Sequence, residues 1–170
     1  MNKFSHIIEY FENIARSHVD IQHTDSEKHF FRFELDEVLS GINRTDVAYP
    51  MLVLEAYSYD YTDNKSDNII KNRSGAFMLL DHCPDISDYA QVHTIWDKLE
   101  VIADDILIKI KSDKYNPLTP VIRNFEYSSI ETKLIANEIG NSIGLRITFT
   151  ISSPVSSNVD ASRWLPEPVI

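Results

Sequence analysis

The chain has 170 residues, 43% of them hydrophobic and 11% aromatic, and a formal net charge of −10. That length suits one domain with a substantial core, and the composition excludes a disordered chain. The acidic balance argues against gripping nucleic-acid phosphates or an anionic membrane surface, since both are held through Lys and Arg.

Apolar residues Phe4, Ile7, Ile8, Phe11, Ile14 and Ala15 make one stripe at helical spacing, so residues 2–18 are expected to form a helix. The segment carries Glu9, Glu12 and Asp20 among its apolar residues, unlike the unbroken apolar stretch of a signal peptide. "HFFRFEL" then alternates as a strand does, with Phe31 and Phe33 opposite Phe30, Arg32 and Glu34. "DEVLSGINRTD" reads as a turn or short helical bend. "AYPMLVLEAYSYDY" is the strongest strand pattern. Met51, Val53, Glu55 and Tyr57 face one way and Leu52, Leu54, Ala56 and Ser58 the other. Both faces begin apolar, as in a central strand covered on both sides. Pro50 falls at its start, where a missing ladder donor is tolerated. "TDNKSDNIIKNRS" is expected to be a polar loop or hairpin tip, and "GAFMLLDH" a third strand.

The longest regular segment runs from Tyr89 to Asp113. Tyr89, Val92, Trp96, Leu99, Ala103, Ile106 and Ile110 recur at alternating steps of three and four. Ile95, Ile102 and Leu107 widen that stripe beyond a coiled-coil seam, so this helix is expected to lean on the sheet of its own domain. Asp85 or Ser87 can cap its start, with Asp85 and Asp88 favoured by the helix dipole there and Lys109 and Lys111 near its other end. "YNPLTP" ends it. "VIRNFEYSS" is expected as a fourth strand. Residues 129–140 read as a strand and turn, with a short helix at 131–138 the competing reading. "LRITFTI" closes the sheet with Leu145, Ile147, Phe149 and Ile151 on one face. The fold class expected is therefore α+β: a mixed or antiparallel sheet with one long helix (about 87–112) and an N-terminal helix packed on it. Residues 1–152 make one domain and residues 153–170 an extended arm. Trp164, Leu165, Val169 and Ile170 make that arm too apolar for a free tail.

Chemistry-bearing patterns are sparse. The chain has four glycines and neither GxxxxGK[ST] nor GxGxxG, which removes the usual phosphate loops. No window approaches 18 consecutive apolar residues, so no membrane-spanning helix is expected. Cys83 is the single cysteine; it cannot form an internal disulfide, and a reducing compartment is expected. "DHCPD" places Asp81, His82, Cys83 and Asp85 together, with His93 shortly after. These are metal-ligand and nucleophile–base residue types, but neighbours on an extended chain point opposite ways and no CxxC or HxxxH spacing supports a site. The plainer reading is a strand end before a helix cap, with Cys83 a small buried hydrophobe. His6, His18, His23 and His29 are scattered. The carboxylate pairs Asp36/Glu37, Asp60/Asp63 and Asp104/Asp105 fit solvated faces. Asp97, Glu100, Asp104 and Asp105 fall on the outer side of the long helix, as a wet face or as an acidic lining that keeps DNA moving. Tyr57, Tyr59 and Tyr61 share one side of a strand leaving its sheet, through interface use or through ordinary strand propensity.

The order of a short N-terminal helix, "YPMLVLE", a polar hairpin, "GAFMLL", one long helix and "GLRITFTI" resembles tail-terminator and neck-ring proteins of tailed bacteriophages over roughly residues 1–152. The resemblance is one of element order, with no diagnostic motif. It implies a structural virion subunit in the tail or neck, a homo-oligomeric ring of six or twelve copies, and contacts with other phage neck and tail proteins. It further implies DNA passing through the lumen without specific binding, no cofactor, no metal, no catalytic residue and no membrane. Tyr57, Tyr59, Tyr61, Trp164, Leu165, Val169 and Ile170 are then the interface candidates. A small cytoplasmic enzyme, or a partner-binding adaptor using the Asp81–Asp85 corner, is the alternative.

Overall fold

The computed structural model describes residues 3–33, 47–63, 65, 68–136 and 141–165. The fold is α+β. Helix α1 (Phe4–Ser17) is followed by β1 (Lys28–Phe33), β2 (Val47–Glu55), β3 (Ser58–Asp63) and β4 (Ile69–His82). The long helix α2 (Tyr89–Asp113), a single 3₁₀ turn at Pro120–Ile122, β5 (Phe125–Ala136), β6 (Ser142–Val155) and a second 3₁₀ turn at Ala161–Arg163 complete it. The six strands make one mixed sheet, ordered β1-β2-β4-β6-β5, with β3 continuing beyond β2 along β4. Only β1 and β2 are parallel; the remaining pairs are antiparallel. The expected bend at residues 36–46 lies outside the described residues.

Both helices lie on one face, because their apolar stripes and one face of the strands form a single cluster. Ile7, Phe11 and Ile14 of α1 and Leu99, Ile106 and Ile110 of α2 are buried there with Leu52, Leu54, Phe77, Leu145, Ile147, Phe149 and Ile151. Phe11, Phe125 and Phe149 stack at its centre, with centroids 5.4–5.5 Å apart. The sheet's other face carries a smaller buried cluster of Phe31, Met51, Val53, Leu80 and Ile135. This explains why both faces of the β2 sequence begin apolar. At the C-terminal end of α2, the Tyr10 hydroxyl donates to Asp113 at 3.1 Å and Lys109 Nζ binds the other Asp113 oxygen at 2.6 Å. That clasp ties the two helices together.

Several expectations are corrected. The α2 cap is Asp88, whose carboxylate accepts from the N–H groups of Ala90 and Gln91; Asp85 instead accepts from Ser87 N–H. Tyr89, placed on the buried stripe by spacing, is exposed because it opens the helix beyond the sheet's cover. The segment read as a polar tip contains eight strand residues: Thr62 and Asp63 end β3, β4 begins at Ile69, and all 14 β4 residues pair with β6. "VIRNFEYSS" divides. Val121 and Ile122 are buried in the 3₁₀ turn, and the strand begins at Phe125. It runs on as β5 through Ala136, so residues 129–136 are strand; residues 137–140 lie outside the described residues. Between Glu126 and Glu131 the strand bulges against β6, where Ser129 Oγ accepts from Thr150 N–H at 2.8 Å. Pro50 sits inside β2, within the irregular stretch between the Lys28–Val47 and Phe30–Leu52 pairs, where it interrupts no regular ladder.

Tyr57 is the most informative correction. Leu54 pairs with Phe77 and Ser58 with Ser74, so four steps on one strand face three on the other. That one extra residue is a bulge, and it flips the alternation. Glu55 keeps company with Arg146 on the sheet's open face, whereas Tyr57 turns to the helix face and meets the Phe4 ring at 4.8 Å.

Candidate functional site

The strand pair β3–β4 and the end of β6 form a three-stranded projection beyond the helices. Tyr57, Tyr59 and Tyr61 share one side of it, as expected from their spacing, in edge-on contacts of 6.5 and 5.8 Å. Cross-strand neighbours supply cations. Lys71 Nζ lies 3.5 Å from the Tyr59 centroid and 5.5 Å from that of Tyr61, and the buried Arg73 donates to Ser153 Oγ at 2.6 Å. Tyr57 is half-buried, while Tyr59 and Tyr61 are more than half exposed. The phenol rings therefore present an amphipathic, partly cationic surface on a strand whose outer edge pairs with nothing among the described residues.

The chain after β6 exposes apolar residues, as does the loop after α2, where Tyr115 and Leu118 are also bare. β6 extends through Val155, past the expected boundary at residue 152. Asp160 then caps the short turn by accepting from Ser162, which together with the Arg163 pair at 3.1 Å holds its carboxyl below the usual carboxylate range. Trp164 is 71% exposed and Leu165 92% exposed. Val169 and Ile170 lie outside the described residues.

The Asp81–Asp85 corner does not converge. Asp81 binds Lys98 at 2.9 Å, and His82 packs beside Tyr49 with centroids 5.7 Å apart. Cys83 is fully buried with Val92 and Ile143; its thiol faces the Asp85 carbonyl at 3.5 Å and Gln91 Oε1 at 3.8 Å. His93 is exposed and stacks on Trp96. Asp81, His82 and Cys83, adjacent in sequence, thus turn to three different surroundings, as alternation along a strand end dictates. Among the described residues no group of three or more His, Cys, Asp and Glu side chains could hold a metal ion, and no described helix is long and apolar enough to cross a membrane.

Two features escaped the sequence reading. On the open face of the sheet, a shallow trough of about 470 Å³ is lined mainly by polar groups, including Ser58, Ser74, Ser129 and Thr148. Arg146 and Glu55 cross its floor in a two-pronged ion pair of 2.6 and 2.7 Å. It offers hydrogen-bonding groups, with Glu131 a second carboxylate in its wall. Between α1 and β1, His23 and His29 are both buried. His29 N–H donates to His23 Nδ1 at 3.2 Å, and His29 Nδ1 meets the Pro50 carbonyl at 2.8 Å. Burial, reinforced by Arg16, pushes the His23 imidazole below its ordinary pKa. The scattered histidines gave no periodic signal; folding joins them through the turn after α1.

The exposed side of α2 carries Asp97, Glu100, Asp104 and Asp105, as its periodicity predicted. Asp105 lies 3.7 Å from His18 Nε2. In comparison with known proteins, no family model matches the chain and no curated protein matches it in sequence.

Proposed function

We propose that this chain is a structural subunit of a tailed-bacteriophage neck or tail, a tail-terminator or head–tail connector protein that assembles with copies of itself into a ring around the DNA conduit. The observation that carries the reading is the uncovered apolar tail: Trp164 and Leu165 stand in water, whereas Phe11, Phe30, Phe31, Phe77, Phe125 and Phe149 are buried. Exposed apolar surface of this kind marks an interaction site. The outer edges of β3 and β5 pair with no described strand and add backbone groups that a neighbour can complete. A head-to-tail contact repeated with rotation closes into a ring. The net charge of −10 and the acidic outer side of α2 suit a passage that repels DNA instead of holding it. On this reading the protein resides in the virion neck or tail, after assembly in the host cytoplasm.

The test is particle mass and shape. Light scattering coupled to size exclusion, with negative-stain imaging, is expected to find six- or twelve-fold rings for the full chain. Removing residues 156–170 leaves all of β6 in place and is expected to abolish rings while preserving the circular dichroism of the fold. A monodisperse monomer at high concentration refutes the proposal.

A further inference from the structure

The outer side of α2 is not uniformly polar. Val101 and Ile108 lie seven residues apart, hence on one helical face, and are 61% and 62% exposed. Asp97 and Asp104 fall on that same face by helical spacing, and no described cation lies within ion-pair distance of either. Tyr115, just past the helix end, is exposed as well. A packed helix that wears two β-branched residues in water between unpaired carboxylates is half of an interface.

The other half lies on the tail. Arg163, Trp164 and Leu165 combine a cation, a large aromatic ring and an aliphatic side chain, all exposed. Trp and Arg are the residues that most often anchor interfaces. Arg163 already meets Asp160 at 3.1 Å, but with its side chain 81% exposed the planar guanidinium keeps a fork to offer a second carboxylate. Each patch supplies what the other lacks: apolar area against apolar area, a cation against an acidic rim. Within one copy both patches are bare.

We infer that the Arg163–Leu165 tail of one copy docks on the Val101–Ile108 face of α2 in a second copy. This rests on the ring reading above and specifies its contact. The two patches differ, so the contact is heterologous and each copy gives one and receives one. It also places a neighbour's tail over the acidic side of α2, leaving less of that side for the lumen.

Complementation between two variants tests it, since both sites are exposed and neither substitution disturbs the core. Trp164→Ala removes the tail anchor and Ile108→Lys spoils the helix face. Each alone is expected to weaken association at least about tenfold, leaving monomers by light scattering. Mixed together, they retain one intact pair of patches and are expected to form a one-to-one dimer that grows no further, read by native mass spectrometry. Rings from either variant alone overturn this pairing while leaving the ring reading intact. So does a mixture that stays monomeric. A wild-type chain that never assembles overturns both.

Discussion

Gly144→Ala tests a close approach of neighbouring strand backbone to a glycine. Gly144 lies opposite Leu80 in the β4–β6 ladder, the longest pairing in the molecule. A methyl carbon built there sits 1.9 Å from the Leu79 carbonyl oxygen and 2.9 Å from the Leu79 carbonyl carbon and Leu80 Cδ2. Ordinary contact begins at 3.4 Å, so the strands must separate locally by about 1.5 Å. The obstacle is backbone, which has no rotamer to escape into. Ladder bonds of about 2.9 Å do not survive that opening. Two central bonds lost at about 1 kcal/mol each, and one or two buried groups left unpaired at roughly 1–3 kcal/mol, total about 4 kcal/mol. This is a large share of a domain's usual stability of about 5–15 kcal/mol. With a urea slope of about 2 kcal/mol/M, the midpoint should fall by about 2 M. Gly75→Ala is the matched control: its added carbon meets Phe149 Cζ, the far end of a side chain, at 3.0 Å, and Tyr57 Cβ at 3.3 Å, only slightly inside ordinary contact. It should cost about 1 kcal/mol. Urea titration followed by circular dichroism measures both. A Gly144→Ala midpoint within about 0.5 M of wild type would refute the reasoning.

The flipped strand parity makes the three tyrosines unequal. Tyr57→Ala, which strips packing from Phe4, should cost about 2–3 kcal/mol, and Tyr61→Ala under about 0.5 kcal/mol, by the same titration; equal losses would contradict the bulge. Burial holds the His23 pKa below its ordinary value of about 6.5, so as pH falls the unfolded chain takes up a proton more readily than the native chain, and stability falls with falling pH. His23→Asn keeps an acceptor for His29 N–H and should flatten the stability slope between pH 7 and 5, by no more than about 1.4 kcal/mol per pH unit; an unchanged slope assigns the effect elsewhere. Burial first, and the Asp113 charge and hydrogen bond second, raise the Tyr10 phenol far above its ordinary pKa. Of eight tyrosines, Tyr10 should therefore stay protonated in an alkaline absorbance titration until the protein unfolds. Tyr10→Phe should cost about 1.5–3 kcal/mol through the lost bond to Asp113, and a change below about 0.5 kcal/mol would remove the clasp from the account.

Period alone marked the two helices and the closing strand. Leu145, Ile147, Phe149 and Ile151 alternate cleanly and all four are buried. The stripe on residues 92–110 could bury its width only against a broad surface, and it lies on the sheet as expected. Acidic residues on the outer side of α2 were legible for the same reason, since spacing fixes a face wherever the element is regular. The candidate tail residues Trp164 and Leu165 were visible as apolar side chains in a segment without periodicity. The Asp81–Asp85 corner shows the reverse case: suggestive residue types that the chain direction sends apart.

What the amino-acid order determined by itself was the two helices, the closing strand with the face it buries, and the acidic character of the surface. These depend on local steric periods and on side-chain transfer from water, both of which act residue by residue. Tertiary structure alone decided where a single extra residue between Leu54 and Ser58 reverses the alternation. It also decided that Gly144 must lack a side chain, that His23 and His29 meet, and that Tyr10 reaches Asp113 more than a hundred residues away. Those outcomes depend on register between strands and on which surfaces close over one another, and no short window of sequence carries either.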